Sequence, residues 1–306
     1  MAKLFKSIPE LIELLEMRGA RTNDATAIIL MREGYYAVVN GYGKAFLDKR
    51  ATEAAGDDRY LPGTTFDQMY QLFLFDRDLR ALTFRAVMSV ECTLRSILSH
   101  TFCEHHNRVD SYLQRGCYAQ EHEYLYGRQA YDGDLSWLIN TLEHHARGYV
   151  ADARDADAQE SERVTWYRER YHSVPLWVLF SDLTFGNLRY FYALMKRAEQ
   201  RVVCERLCEV CGATRAGQAL SPKGMLADLE TLGALRNSCA HEERIYNTHY
   251  GSKQLTYPQV LDLLAAYLAD EEEQKLRAAI DKLMRMRMEQ DPGITRVLKA
   301  AGFKGN

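Results

Sequence analysis

From Thr65 to about His106 the chain runs without a single glycine or proline, and Leu72, Phe75, Leu79, Leu82, Ala86, Val90, Leu94 and Leu98 recur at steps of three and four. Residues at that spacing lie along one stripe of an α-helix, and nothing in the stretch breaks the backbone hydrogen-bond ladder. A soluble helix of this length needs partners on several sides, so the segment is expected to be the spine against which other helices pack. No proline falls between Pro62 and Pro175, and the whole chain holds only six prolines and nineteen glycines. Such sparse punctuation suits long helices better than many short strands, and the expected fold class is all-α.

The 306 residues are 47% hydrophobic and 26% charged, the balance of a chain that buries a core, which excludes a mainly disordered one. Around the spine the sequence divides into an N-terminal helical segment, residues 1–60, packed on a main helical domain, residues 61–290, with a C-terminal tail, residues 291–306. A short helix follows Ser7 and Pro9 and stops at Gly19, and a second runs from about Asp24 to Arg32. The aromatic stretch between Gly34 and Gly43 reads as a turn or short extended piece. Ala151 to Arg163 is polar and poor in apolar residues, an exposed loop or solvated helix face. Pro175 opens a further helix that Gly186 interrupts. Ser221-Pro222 is a helix start, with serine as cap and proline as first helical residue, and Met225, Leu229, Leu232 and Leu235 continue its apolar face. Pro258 begins a last long helix through about Met288.

Met1-Ala2-Lys3-Leu4-Phe5-Lys6 leads into a charged amphipathic stretch, and no window approaches the roughly 18 apolar residues of a membrane span. A cytoplasmic protein with no membrane contact is expected. The odd count of seven cysteines argues for reduced thiols. Cys204, Cys208 and Cys211 share a helix face, but their neighbourhood supplies no fourth ligand, so they are expected to be small buried hydrophobes, with no metal and no cofactor. The net charge of −3 is not that of a non-specific nucleic-acid binder, although a short single strand needs only a local basic site.

One constellation carries chemistry. Arg236, Asn237 and His241 stand in Leu235-Arg236-Asn237-Ser238-Cys239-Ala240-His241. Imidazole titrates nearest working pH and can act as base toward a ribose 2′-hydroxyl or as acid toward a departing 5′-oxygen. A guanidinium can hold two phosphate oxygens and stabilise the added charge of a pentacoordinate transition state. If the helix continues, Asn237, His241 and Arg244 share a face, with Asn247 to follow. Arg236 is then turned by about 140° from His241, which a distorted helix end, a long reach of the arginine or a second subunit must resolve. The competing reading is a capped helix end with His241 as a polar terminal contact. The same R-x4-H spacing recurs at Arg95 and His100 on the spine, so the bare pattern is not specific.

The string Leu235 to Asn247, LRNSCAHEERIYN, resembles the signature of the Abi-like (AbiD/AbiF type) abortive-infection proteins of the HEPN superfamily. Leu11 to Gly19, Gly34-Tyr35-Tyr36 through Gly41-Tyr42, Leu72 to Arg80, Val90 to Arg95 and Pro175-Leu176-Trp177 through Gly186 resemble other blocks of that family in order. Glu33-Gly34 departs from the family's usual lead-in to the aromatic segment. The resemblance implies a HEPN-type helical bundle with additional N-terminal helices, and metal-independent RNA cleavage by Arg236 and His241 with Asn237 beside them. Arg244, Tyr246 and Asn247 are expected to contact RNA. Glu91 is expected to pair with Arg95, with Asp76, Arg77 and Arg80 as polar support behind the site. The expected partners are RNA, a second copy of the chain in a homodimer, and a noncoding RNA or protein antitoxin. The alternatives are a HEPN module that binds RNA or protein without turnover, and a helical scaffold for a nucleotidyltransferase-type partner. Arg95 and His100 as a second, internal half-site is a further alternative.

Overall fold

The computed structural model describes residues 4–148, 161–212, 214–215 and 218–304, and within these the fold is all-α. Thirteen α-helices are described: α1 (Ile8–Met17), α2 (Asp24–Glu33), α3 (Lys49–Ala55), α4 (Phe66–His105), α5 (Arg128–Arg147), α6 (Glu162–Tyr171), α7 (Leu176–Leu179), α8 (Phe185–Leu194), α9 (Arg197–Cys211), α10 (Pro222–Ala240), α11 (Tyr257–Ala265), α12 (Asp270–Gln290) and α13 (Pro292–Ala300). The only strands among the described residues are an antiparallel pair, Thr214–Arg215 and Gln218–Ala219, in the α9–α10 connection.

The spine is α4, 40 residues and about 60 Å long. It starts where Thr65 Oγ1 accepts from the Gln68 N–H and Gln68 Oε1 accepts from the Thr65 N–H, a reciprocal cap. Helices α7, α8, α9, α10, α11, α12 and α13 all pack against it. Leu72, Phe75, Leu79, Val87, Val90, Leu94, Leu98 and Phe102 are buried along its length, each contributing about 1.5–3 kcal/mol of transfer free energy, so packing on several sides holds it in place. One continuous apolar core runs from Leu15 and Leu30 through the spine to Leu298 and Phe303. Residues of the first sixty are thus part of that core, tied further to the head of α4 by the Arg21–Thr65 bridge.

Several elements differ from the sequence expectation. The stretch between Gly34 and Gly43 is not extended: Tyr36–Asn40 is a π-helical turn, with Val38 and Val39 buried, and Gly43–Phe46 is a 3-10 turn. The expected helix from Pro258 to Met288 is two helices that part at Ala266–Ala269, where α12 opens with Asp270, Glu271, Glu272 and Glu273. The C-terminal segment is not a tail. Asp291 caps α13 by accepting from the Gly293 and Ile294 N–H groups, and Ile294, Val297, Leu298 and Phe303 are buried. Gly186 lies inside the first turn of α8, and the interruption after Pro175 falls earlier, between α7 and α8. The polar stretch read from Ala151 lies outside the described residues up to residue 160, and from Glu162 the chain is α6. Cys204 and Cys211 are buried and Cys208 is half-buried; among the described residues no group of three or more His, Cys, Asp or Glu is placed to hold a metal. Nor is any described helix long and apolar enough to cross a membrane.

Candidate functional site at the end of α10

Helix α10 begins as the sequence indicates: Ser221 Oγ accepts from the Gly224 N–H and Pro222 is the first helical residue. Leu229, Leu232 and Leu235 bury its apolar side toward α4 and α8. The helix ends at Ala240. His241 is the C-cap, with φ −96° and ψ 15°, and its N–H donates to Asn237 O at 2.9 Å.

A Schellman-type reversal follows. Glu242 stands in the left-handed region at φ 56°, and the Glu243 N–H donates back to Ser238 O at 2.9 Å. The Ser238 hydroxyl donates to Glu243 Oε2 at 2.9 Å, closing the same turn from the side. Glycine is the usual residue at the left-handed position, and its absence here is why the sequence reads as though the helix went on.

The reversed strand is fastened to α4 by a buried carboxylate. Asp76, fully buried, accepts from the Tyr42 hydroxyl at 2.7 Å, Arg80 Nη1 at 2.8 Å, the Ile245 N–H at 3.1 Å and the Tyr246 N–H at 2.8 Å. Arg80 Nη1 also donates to Glu243 O at 3.3 Å. Burial pushes the Asp76 carboxyl above its ordinary range, while the Tyr42 hydroxyl, the Arg80 charge and the two N–H groups pull it back. The Tyr42 phenol is pushed up by burial and by Asp76 beside it. His241 is therefore presented on a backbone held from both sides.

A second carboxylate serves the arginine. Arg236 Nε lies 3.9 Å from Glu91 Oε2, and its guanidinium sits over the Phe84 ring at 5.9 Å. Glu91, 1% exposed, is shared with Arg95, whose Nη2 is 2.5 Å from Glu91 Oε1 and donates to Leu183 O at 2.8 Å. Glu91 Oε2, Arg236 Nε and Arg95 Nε are buried with no hydrogen-bond partner. The Arg236 side chain keeps 29% exposure, and Asn237 and His241 are exposed.

Arg236, Asn237 and His241 thus gather at one helix end, Asp76 and Arg80 brace the turn behind them, and the Glu91–Arg95 pair forms as expected from its spacing. Four expectations need correction. Arg244 does not continue the face of Asn237 and His241, because the helix has already reversed; its Nη1 donates to Gly41 O at 2.6 Å. Tyr246 is buried and stacked on Tyr42, ring centroids 6.1 Å apart, so it is a core residue and not a contact surface for RNA. Arg77 lies 3.6 Å from Glu33 and over the Phe73 ring, on another side of α4 from Asp76 and Arg80, and does not support the site. Asn247 is exposed but is not brought to the site by a continued helix. Sequence reasoning missed Tyr42, Phe84, Ser238 and Glu243. Tyr42, enclosed by Gly41 and Gly43, and Ser238, inside the motif itself, were the findable ones.

What fold and site define is an all-helical protein with a half-buried arginine and an exposed asparagine and histidine at the fixed end of one helix. The chain belongs to the Abi-like protein family, whose description matches residues 28–247, more than two thirds of the chain and the whole of the site from Tyr42 to Asn247. No curated protein and no solved structure shows a match to it.

Proposed function

We propose that the chain is a metal-independent RNA endonuclease of the HEPN type, acting in abortive infection to limit growth of a phage-infected bacterium. The observation that carries this reading is the exposed His241 on a braced turn, in the same last turn of α10 as an Arg236 whose guanidinium lies 3.9 Å from a buried carboxylate. The RNA 2′-hydroxyl gives its proton to a base, the 2′-oxygen bonds the phosphorus, and the P–O5′ bond breaks with the 5′-oxygen taking up a proton. The products are a 2′,3′-cyclic phosphate and a 5′-hydroxyl end. His241 serves as base or acid, Arg236 holds the phosphate oxygens as charge builds, and Asn237 supplies a further polar contact. One imidazole cannot take up and give a proton on both sides of the phosphorus at once, so a homodimer supplying the second His241 completes the reaction. The protein works in the cytoplasm, with a noncoding RNA or protein antitoxin to restrain it.

Cleavage of single-stranded RNA in chelator by the wild type, Arg236→Ala and His241→Ala tests the proposal. Each substitution is expected to lower the rate on the order of a hundredfold or more, and the same strand made of DNA, lacking the 2′-hydroxyl, stays intact. Equal RNA cleavage by all three proteins would refute it.

A further inference from the structure

The second R-x4-H pair stands on α4. Arg95 and His100 line an open cleft of about 360 Å³ between α4, α6 and the α7 region, whose other lining residues include Ser96, Arg163, Trp177 and Ser181. His100 and Trp177 also line the adjoining cavity, which continues past Cys103 to Asn107. No carboxylate lines the cleft beside Arg95. Glu91, buried beneath Arg95, is its ion-pair partner at 2.5 Å, and Glu104, which lines the adjoining cavity, is engaged by Arg206 Nη2 at 2.5 Å.

Three properties of the cleft point to one occupant. Its walls suit an anion: they carry the Arg163 guanidinium and the His100 imidazole, with Arg95 beside them partly compensated by the buried Glu91. Trp177 is 58% exposed although its neighbours Leu176 and Leu179 are buried, so a large flat ring is left uncovered at the junction of the two cavities. An aromatic face among cations is the arrangement that holds unstacked bases of a single strand. The cleft also lies beside Arg236 of α10, because the Arg95 that lines it shares the Glu91 carboxylate with Arg236. From Glu91 to His100 is about 14 Å along α4, short enough for one strand to lie at both places.

We propose that this cleft binds the single-stranded RNA flanking the cut, with a base on the Trp177 ring and a neighbouring phosphate between Arg163 and Arg95. The proposal rests on the ribonuclease reading above and adds the path of its substrate. Trp177 and Arg163 are exposed, so their substitution leaves the fold in place.

The test is fluorescence anisotropy of a labelled oligouridylate titrated with the full chain carrying His241→Ala, which prevents turnover. Adding Trp177→Ala is expected to weaken binding about tenfold, within the range of base stacking on an aromatic ring, and Trp177→Phe to recover most of it. Adding Arg163→Ala is expected to weaken binding and to flatten the dependence of log affinity on log salt by about 0.7. A thermal melt of each variant checks folding. Unchanged affinity in both Trp177→Ala and Arg163→Ala would overturn the cleft while leaving wild-type cleavage intact. Failure of the ribonuclease reading looks different, since the wild type would then cut no RNA.

Discussion

Two buried carboxylates on the same helix, four turns apart, are treated in opposite ways. Asp76 has four donors around it and leaves no oxygen unused. Glu91 has one close partner, Arg95, while its Oε2 and the facing Arg236 Nε remain unpartnered at 3.9 Å. A buried polar atom without a partner costs about 1–3 kcal/mol, so a fold keeps such atoms where something other than stability selects them. The satisfied network fixes a backbone. The unsatisfied one holds its guanidinium less firmly, which the proposed ribonuclease reaction would use to meet a phosphate.

The strongest way to break this contrast is Asp76→Ala. It strands the Arg80 charge and two backbone N–H groups in the core, and a loss of about 3–5 kcal/mol is expected. Thermal unfolding should fall by roughly 5–15 °C, with RNA cleavage lost in proportion to the unfolded fraction. A melt within 2 °C or so of the wild type would mean that the turn after α10 holds itself.

Thiol chemistry probes the same contrast without mutation. Cys239 is buried beside the Asp76 network, and burial pushes its thiol up from 9.0 to about 12, whereas Cys92, at the mouth of the Arg95 cleft, is exposed. At pH 9 iodoacetamide should modify Cys92 faster than Cys239 by on the order of a hundredfold or more, read by mass spectrometry of the peptides. The sign of the linked stability effect follows. Below pH 9 the thiol is protonated in both the folded and unfolded chain; between about 9 and 12 only the unfolded chain loses the proton, so stability falls as pH rises through that window. Equal labelling rates would show that the turn opens readily.

Glu91→Gln sharpens the comparison from the other side. The amide keeps the shape and removes the charge, and since the carboxylate is under-partnered, stability should change by less than about 1 kcal/mol. Cleavage should drop about tenfold, with the loss in kcat, because Arg236 is no longer oriented by a charge behind it. Asp76→Asn, the matched substitution, should reverse the pattern and cost stability first. If both amides behaved alike, the two carboxylates would have the same role.

How much of this the sequence displays depends on how local each signal is. The spine is legible because an unbroken run of helix-compatible residues with apolar period needs no tertiary information, and Ser221-Pro222 marks the start of α10 for the same reason. Spacing alone also pairs Asp76 with Arg80 and Glu91 with Arg95, one turn apart, and would have set Arg77 aside, since it is rotated by about 100° from Asp76. The end of α10 is another matter. No glycine marks it, and the bonds that fasten the chain after the reversal come from Asp76, 169 and 170 positions away from Ile245 and Tyr246. The helix face expected to carry Arg244 and then Asn247 therefore does not exist. Two local signals were present and unread: the acidic run from Asp270 that opens α12, and Asp291-Pro292 at the head of α13.

The smallest effect concerns that reversal itself. Glu242 holds φ 56° with a Cβ that this region disfavours, at the position where glycine is the common choice. Glu242→Gly should therefore relieve strain at the C-cap and stabilise the chain by up to about 1 kcal/mol, offset in part by the greater freedom glycine gives the unfolded state. Since the Glu243 N–H to Ser238 O bond and the Asp76 contacts do not involve the Glu242 side chain, His241 should stay where it is and RNA cleavage should be unchanged. A stabilised variant with lower activity would mean instead that the Glu242 carboxylate, exposed beside His241, takes part in moving the proton or in setting the charge that the RNA meets.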